Sequence, residues 1–108
     1  MSEYLVLINA TNESNISPAD EDRCMSDYGL WAQALGEKHI LGKRLDISQG
    51  TLLKSKQIPL TDGPFAEGKE LVVGIILLAA NSLKEASEIA NSCPLGDYFD
   101  LLVKEVKE

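Results

Sequence analysis

The densest group of residues able to do chemistry lies in one ten-residue stretch, TDGPFAEGKE, at residues 61–70. It carries acidic side chains at Asp62, Glu67 and Glu70 and a basic one at Lys69, and a long apolar run follows it directly. A carboxyl group that is partly buried beside apolar side chains holds its proton more tightly, which suits it to acid–base work near neutral pH. We therefore take Asp62 as the first candidate catalytic residue.

Asp62 has two possible roles, and the sequence leaves both open. An aspartate before Gly63 and Pro64 can accept hydrogen bonds from the amides of its own turn, which is a structural role. At the edge of a cleft, the same side chain would act on a bound molecule. We expect the segment to line such a cleft with Asp62, Gly63, Pro64, Phe65, Glu67 and Lys69. Phe65 is expected in the cleft wall or the core rather than as a stacking platform.

Three further side chains bear on the chemistry. Tyr28 falls on the apolar face of a predicted helix, where it packs in the core or presents its hydroxyl to a cleft, and we keep it as a second candidate catalytic and ligand-binding residue. Cys93 falls near the end of another predicted helix, where the helix dipole raises the pKa of a thiol and disfavours a nucleophile. His39 lies beside Lys38 in an irregular stretch, which predicts a solvated side chain.

The sequence offers no recognisable site for a metal or a cofactor. One histidine and two distant cysteines make a poor ligand set for zinc. No glycine-rich phosphate loop or dinucleotide fingerprint occurs. We therefore predict neither a metal nor a cofactor.

Length and charge limit the classes of function. A chain of 108 residues suits one domain, which we place at residues 1–108. The net charge of −7 argues against nucleic acid and anionic membrane surfaces as partners, because both attract basic proteins. The first residues lack the basic start and long apolar core of a signal peptide. We accordingly expect a cytoplasmic protein in which Cys24 and Cys93 stay free thiols.

The elements that must position these residues follow from apolar periodicity and capping signals. Ser17 and Pro18 predict the start of a first helix that ends near Gly36, and Ser82 with Glu85 forms a capping box for a second helix. Strands are predicted at residues 4–8, 51–57, 69–80 and 98–106. The order β-α-β-β-α-β is typical of an α+β, ferredoxin-like fold with two helices on one face of an antiparallel sheet.

Each predicted helix has a recognisable inward face. In the first helix this face is formed by residues spaced four, three and four apart, namely Cys24, Tyr28, Trp31 and Leu35. Gly29 interrupts the same helix, and we interpret it as a place where another backbone comes close. In the second helix the inward face is predicted to contain Leu83, Ala86, Ile89 and Ala90.

The run from residue 71 to 78 is apolar on both faces of its predicted strand, with Ile76 and Leu78 on one face and Ile75 and Leu77 on the other. Two helices cover only one face, and leaving large aliphatic side chains wet forfeits about 1.5–3 kcal/mol for each. A second copy packed sheet to sheet resolves this cost, so we predict a homodimer through the open sheet face. The alternative is that residues 37–50 fold back over that face.

The stretch TDGPFAEGKE, followed by Gly74 in a strand and by a helix rich in Glu and Ala at residues 83–90, resembles the DGPF branch of the YCII-related domain family. In that family the pattern reads approximately T-D-G-P-F-A-E-x-K-E. The resemblance covers nearly the whole chain. It implies a dimeric α+β barrel built from two ferredoxin-like sheets, which agrees with the order of elements.

The resemblance implies less about activity. Part of the broader family is enzymatic and includes ring-dehalogenating enzymes, with a histidine on the first helix and an aspartate near the end of the second as an acid–base dyad. This chain has neither partner, because His39 lies after the first helix and residues 91–94 read Asn-Ser-Cys-Pro. The family's histidine would fall near Met25, Asp27 and Tyr28. Gly68 replaces the threonine that the family usually has.

Two classes of function follow from the sequence. The first is a module that binds a small molecule in a cleft shaped by the DGPF segment (residues 61–70) and the first helix, without turnover. The second is a small cofactor-independent enzyme, lyase-like or dehalogenase-like, with Asp62 as acid–base group and Tyr28 assisting. A purely structural interaction protein is the remaining alternative.

Overall fold

A computed structural model describes residues 1–11, 16–46, 50–51, 53, 56 and 71–107. The fold is α+β and ferredoxin-like, as predicted, with a four-stranded antiparallel sheet in the order β2-β3-β1-β4. In chain order the elements are β1 (Ser2–Ala10), α1 (Pro18–Leu35), β2 (His39–Arg44), β3 (Leu71–Ala80), α2 (Leu83–Asn91) and β4 (Asp100–Glu105). Short 3₁₀ turns at Gly36–Lys38 and Pro94–Asp97 lead into β2 and β4.

Both helices begin with the predicted caps. The Ser17 hydroxyl accepts a hydrogen bond from the Asp20 amide at 3.1 Å, and the Ser82 hydroxyl accepts one from the Glu85 amide at 3.1 Å. Glu85 completes its capping box by accepting a hydrogen bond from the Asn81 amide at 3.2 Å. Helix α1 ends at Leu35, and the capping residue Gly36 has a φ of 60°, which glycine adopts without steric cost.

One face of the sheet is closed by the helices. Its core includes Val6, Ile8, Ile76, Leu78, Ala90 and Cys93, with Tyr28, Trp31 and Leu35 of α1 packed against them. The predicted inward face of α1 is therefore confirmed. The prediction for α2 holds for Ala86 and Ala90 but is wrong for Leu83, which is 52% exposed because it stands at the first turn, beside the solvent. The prediction for Gly29 is also wrong, since among the described residues no atom outside the backbone of α1 and the two chain neighbours lies within 4 Å of a Cβ at that position.

The second strand lies earlier in the chain than predicted. It spans His39–Arg44, whereas the described residues of the predicted strand at 51–57 are not in a strand, and Lys56 lies in a turn with φ 67°. The sequence HILGKR hides the strand because the pairing register with β3 shifts between His39 and Leu41, which interrupts the alternation of side chains. Because β2 extends the edge of the sheet, its residues do not fold back over the open face.

The other face of the sheet carries aliphatic side chains from all four strands. Leu5 pairs with Leu77, and Leu7 pairs with both Ile75 and Leu102 across neighbouring strands. All are at least partly exposed in the described chain, and Leu102 is 44% exposed. We name this surface the open face, defined by Leu5, Leu7, Leu41, Ile75, Leu77 and Leu102.

Among the described residues, no helix is both long enough and apolar enough to cross a membrane.

Candidate functional site

The DGPF segment lies outside the described residues, so the predicted roles of its side chains stay predictions. This applies to Asp62, Gly63, Pro64, Phe65, Glu67 and Lys69. Tyr28 is the predicted site residue that the structure describes.

Tyr28 and His39 form a hydrogen-bonded pair on the helix-covered side of the sheet. Tyr28 lies one turn beyond the buried Cys24 on α1, so its ring points toward the sheet. His39 opens β2 opposite the buried Leu78 and therefore projects to the same side. The Tyr28 hydroxyl oxygen lies 2.6 Å from His39 Nε2. The prediction that His39 is solvated is wrong, because the side chain is half-buried and bonded to the phenol.

Trp31 completes a cluster of three rings around this pair. Its ring centroid lies 5.6 Å from that of Tyr28 and 6.1 Å from that of His39, and the two rings of the pair are 5.7 Å apart in an edge-on arrangement. We name Tyr28, Trp31 and His39 the aromatic triad. All three are half-buried, so part of each ring remains accessible to solvent.

A second hydrogen bond fixes the tryptophan. Trp31 Nε1 donates to the Ser92 hydroxyl at 2.9 Å, and that hydroxyl donates to the Ile89 carbonyl at 2.7 Å. The chain of bonds ties the indole of α1 to the last turn of α2. The triad is thus anchored by both helices, with α1 supplying two rings and β2 the third.

The groups around the triad favour neutral forms. Burial raises the pKa of Tyr28, and the nearby Cys93 raises it further, so the phenol keeps its proton at neutral pH. Burial also raises the pKa of Cys93 to about 11, although a hydrogen bond with the Leu95 backbone opposes the change. The direction of the Cys93 shift agrees with the sequence prediction, but its main cause is burial and not the helix dipole.

Ion pairs join β2 and its preceding turn to the helices. Arg44 pairs with Glu21 of α1, and Lys38 Nζ lies 3.7 Å from Glu85 Oε1 at the start of α2. Such exposed pairs contribute less than about 1 kcal/mol each. They link the edge strand and its preceding turn to the two helices.

A shallow groove of about 640 Å³ runs along the opposite edge of the sheet, between α2 and β4. Phe99, Leu101 and Val103 form its apolar floor, and Asp97 and Asp100 lie along it. It contains no aromatic pair and no histidine. Within the described ranges, no group of three or more His, Cys, Asp or Glu side chains is placed to hold a metal ion.

The arrangement at the triad allows two kinds of chemistry. Flat rings at half-buried positions can pack against a planar organic molecule. A phenol hydrogen-bonded to an imidazole can also pass a proton to or from such a molecule. The sequence identified Tyr28 but missed His39. The strand HILGKR brings residue 39 onto the helix-covered side, and its interrupted alternation gives no signal from which the sequence could have predicted this.

The comparisons with known proteins agree with the fold. The sequence model described as "YCII-related domain" matches residues 3–107. Among solved structures, 5-chloro-2-hydroxyhydroquinone dehydrochlorinase from Burkholderia phenoliruptrix AC1100, in complex with 2,5-dihydroxybenzoquinone, superimposes with a TM-score of 0.60 at 15% sequence identity. The match covers 98% of this chain and 94% of that chain. None of the curated proteins matches this sequence.

Proposed function

The chain belongs to the YCII-related domain family, and from that premise we propose that it is a single-domain homodimer that binds a small planar organic molecule. The aromatic triad forms one wall of the cleft, and the DGPF segment forms the other. The free thiols of Cys24 and Cys93 support a location in the cytoplasm.

The observation that carries this proposal is the hydrogen bond between the Tyr28 hydroxyl and His39 Nε2 at 2.6 Å. Core packing alone does not require a phenol and an imidazole to meet at a half-buried edge. Together they add one hydrogen-bonding pair to an otherwise apolar surface, which is the usual composition of a site for a small ligand.

The open face supports the homodimer. Its leucines and isoleucines would each forfeit about 1.5–3 kcal/mol if left fully wet, and a second copy provides a matching apolar surface. Lys43 and Lys104 flank the aliphatic positions on this face, where they can remain at the rim of an interface.

The class of ligand follows from the size and flatness of the wall. A single hydroxylated ring matches the triad in scale, and it can share a hydrogen bond with Tyr28 or His39. The compound named in the similar structure, 2,5-dihydroxybenzoquinone, is a planar molecule of this kind and serves as a probe.

A second candidate function is that of a cofactor-independent enzyme, lyase-like or dehalogenase-like. The close contact between Tyr28 and His39 favours it, because the two atoms are within the distance at which a proton can transfer. In this case Asp62 of the DGPF segment acts as the acid–base group on the substrate, and Tyr28 assists it.

The proposal is tested by titrating the labelled protein with 2,5-dihydroxybenzoquinone, catechol and salicylate while following the indole N–H signal of Trp31 by NMR. The chain has one tryptophan, so this signal reports the triad without ambiguity. We expect at least one compound to move it. Tyr28→Phe is expected to lower the affinity for that compound about fivefold, because one hydrogen bond is lost.

Tyr98→Phe is the matched control, since it removes a half-buried phenol that belongs to no part of the triad. Its affinity is expected to equal that of the wild type. If no compound moves the Trp31 signal at millimolar concentration, or if both tyrosine variants weaken binding equally, the triad is not the site. Conversion of a bound compound that Asp62→Asn abolishes in a folded protein would favour the enzyme over the binding module.

A further inference from the structure

We infer that Gly42 is the positioning residue of the triad: the missing side chain at this position is what allows the Tyr28 hydroxyl to reach His39. The inference rests on the proposed function for its consequence in ligand binding, and it extends that function to a residue outside the cleft wall. Gly42 lies in β2, opposite the buried Ile76 and on the same side of the sheet as His39.

The space that a side chain at residue 42 would occupy is already filled by Tyr28. A Cβ built on Gly42 would overlap the Tyr28 hydroxyl oxygen, and it would lie 3.2 Å from Tyr28 Cζ and 3.5 Å from His39 Nε2. Any residue other than glycine therefore requires the phenol to move. Because the ring lies next to His39 Nε2, that movement breaks or lengthens the hydrogen bond between the two side chains.

A positive φ does not explain the glycine at this position. Among the described residues, Gly36 is the glycine with a positive φ, so Gly42 is not required by its backbone conformation. Glycine weakens a strand, because it raises the backbone entropy of the unfolded chain and provides no side chain to pack. The edge strand β2 thus accepts a poor strand former where a tyrosine from α1 fills the gap.

Gly29 provides a contrast within the same chain. It follows Tyr28 directly in α1, and in the described part of the chain no atom beyond the local helix backbone and the adjacent residues lies within 4 Å of a Cβ built there. A methyl group at residue 29 therefore meets no neighbour, whereas a methyl group at residue 42 meets the hydroxyl. This makes Gly29→Ala the matched control for Gly42→Ala.

The experiment uses the full chain without a histidine tag, because His39 is the single histidine. The ¹⁵N chemical shifts of its ring report the hydrogen bond at Nε2 directly, and a merely structural change elsewhere does not reproduce them. Gly42→Ala and Tyr28→Phe are expected to change the Nε2 shift in the same way. Gly29→Ala is expected to leave it as in the wild type.

A double substitution separates positioning from general damage. Introduced into the wild type, Gly42→Ala is expected to lower the free energy of unfolding measured in urea. Introduced into the Tyr28→Phe protein, the same substitution is expected to cost less, because that protein lacks the hydroxyl oxygen that the new Cβ would overlap. Gly42→Ala is also expected to lower the affinity for any compound that binds the triad by about the same factor as Tyr28→Phe, which is about fivefold.

The NMR measurement on His39 needs no ligand, so it tests the role of Gly42 even if the proposed function is wrong. An unchanged Nε2 shift in Gly42→Ala would overturn the inference, and so would a stability loss independent of the residue at position 28. A changed shift with unchanged affinity would keep Gly42 as the residue that positions Tyr28 and would count against the triad as the binding site.

Discussion

The two faces of the sheet have similar aliphatic composition but different environments. On the helix-covered face, Val6, Ile76 and Leu78 are 0–1% exposed beneath α1 and α2. On the open face, their sequence neighbours Leu5, Ile75 and Leu77 stay partly exposed in the described chain. The difference shows that apolar periodicity alone does not reveal which face of a strand the helices cover, because both faces are made of the same residue types.

The helix-covered face also carries the aromatic triad. Where α1 meets the edge strand β2, the aliphatic core gives way to Tyr28, Trp31 and His39. The open face, in contrast, holds aliphatic positions flanked by lysines. In the proposed function, the helix-covered face binds a small ligand at its edge and the open face binds a second copy of the chain.

The largest expected effect is on the free energy of unfolding, which substitutions on the two faces are expected to change by different amounts. Ile76→Ala is expected to lower the free energy of unfolding by about 4 kcal/mol, because it leaves a cavity in a core that cannot relax fully. Ile75→Ala, one residue away on the open face, is the matched control and is expected to cost less than half as much in dilute protein. Urea unfolding measures both.

Protein concentration sharpens this comparison. If the open face binds a second copy, the wild type gains stability as its concentration rises. The Ile76 variant is expected to keep that gain and the Ile75 variant to lose part of it. Equal losses for both variants at every concentration would show that the two faces are equivalent.

The next effect concerns the association of two chains. Leu77→Lys places a charge on the open face opposite Leu5, and burying it in an interface costs at least about 2–3 kcal/mol, or about a hundredfold in the dissociation constant. Light scattering after size-exclusion chromatography is expected to show two chains for the wild type and one for the variant.

Leu83→Lys supplies the control for charge and lost apolar surface, because Leu83 is a 52% exposed leucine on α2. It is expected to keep the mass of two chains. A wild type that runs as one chain at tens of micromolar would contradict the proposed homodimer.

The smallest effect concerns alkaline pH and the buried Cys93. Its pKa is raised from 9.0 to about 11 in the folded chain, so the unfolded chain loses its proton first as the pH rises. The thiol therefore contributes stability that is fully present below pH 9 and is lost as the pH rises toward 11. The loss amounts to about 3 kcal/mol or less.

Cys93→Ala tests this, with a reductant present throughout. The variant is expected to be less stable than the wild type at pH 8, and the gap between them is expected to narrow between pH 9 and 11. Ala90→Gly, at a neighbouring buried position without a titrating group, is expected to keep a constant gap. A constant gap for Cys93→Ala as well would show that the thiol does not contribute to the pH dependence.

Much of the fold could be predicted from local signals. The caps at Ser17 and Ser82 act within three residues of the chain, and the ends of both helices were predicted to within one or two residues. The apolar run of β3 also identified its strand and its two apolar faces. The second strand could not be predicted, because its bulge and its glycine remove the alternation on which strand assignment depends.

The candidate site could be predicted only in part. Tyr28 was identified by its helical spacing from Cys24, which is a property of the sequence alone. His39 and Gly42 were not recognised as parts of the site, because their relation to Tyr28 exists only when β2 lies against α1.

The sequence by itself determined the family, the order of elements, the helix caps and the apolar character of β3, because each depends on residues that are close in the chain. The tertiary structure decided which strand forms the edge, and it brought the phenol of residue 28 into the space beside the Cα of residue 42 and to the imidazole of residue 39. Contacts of this kind depend on the packing of α1 on the sheet, and no local pattern encodes that packing.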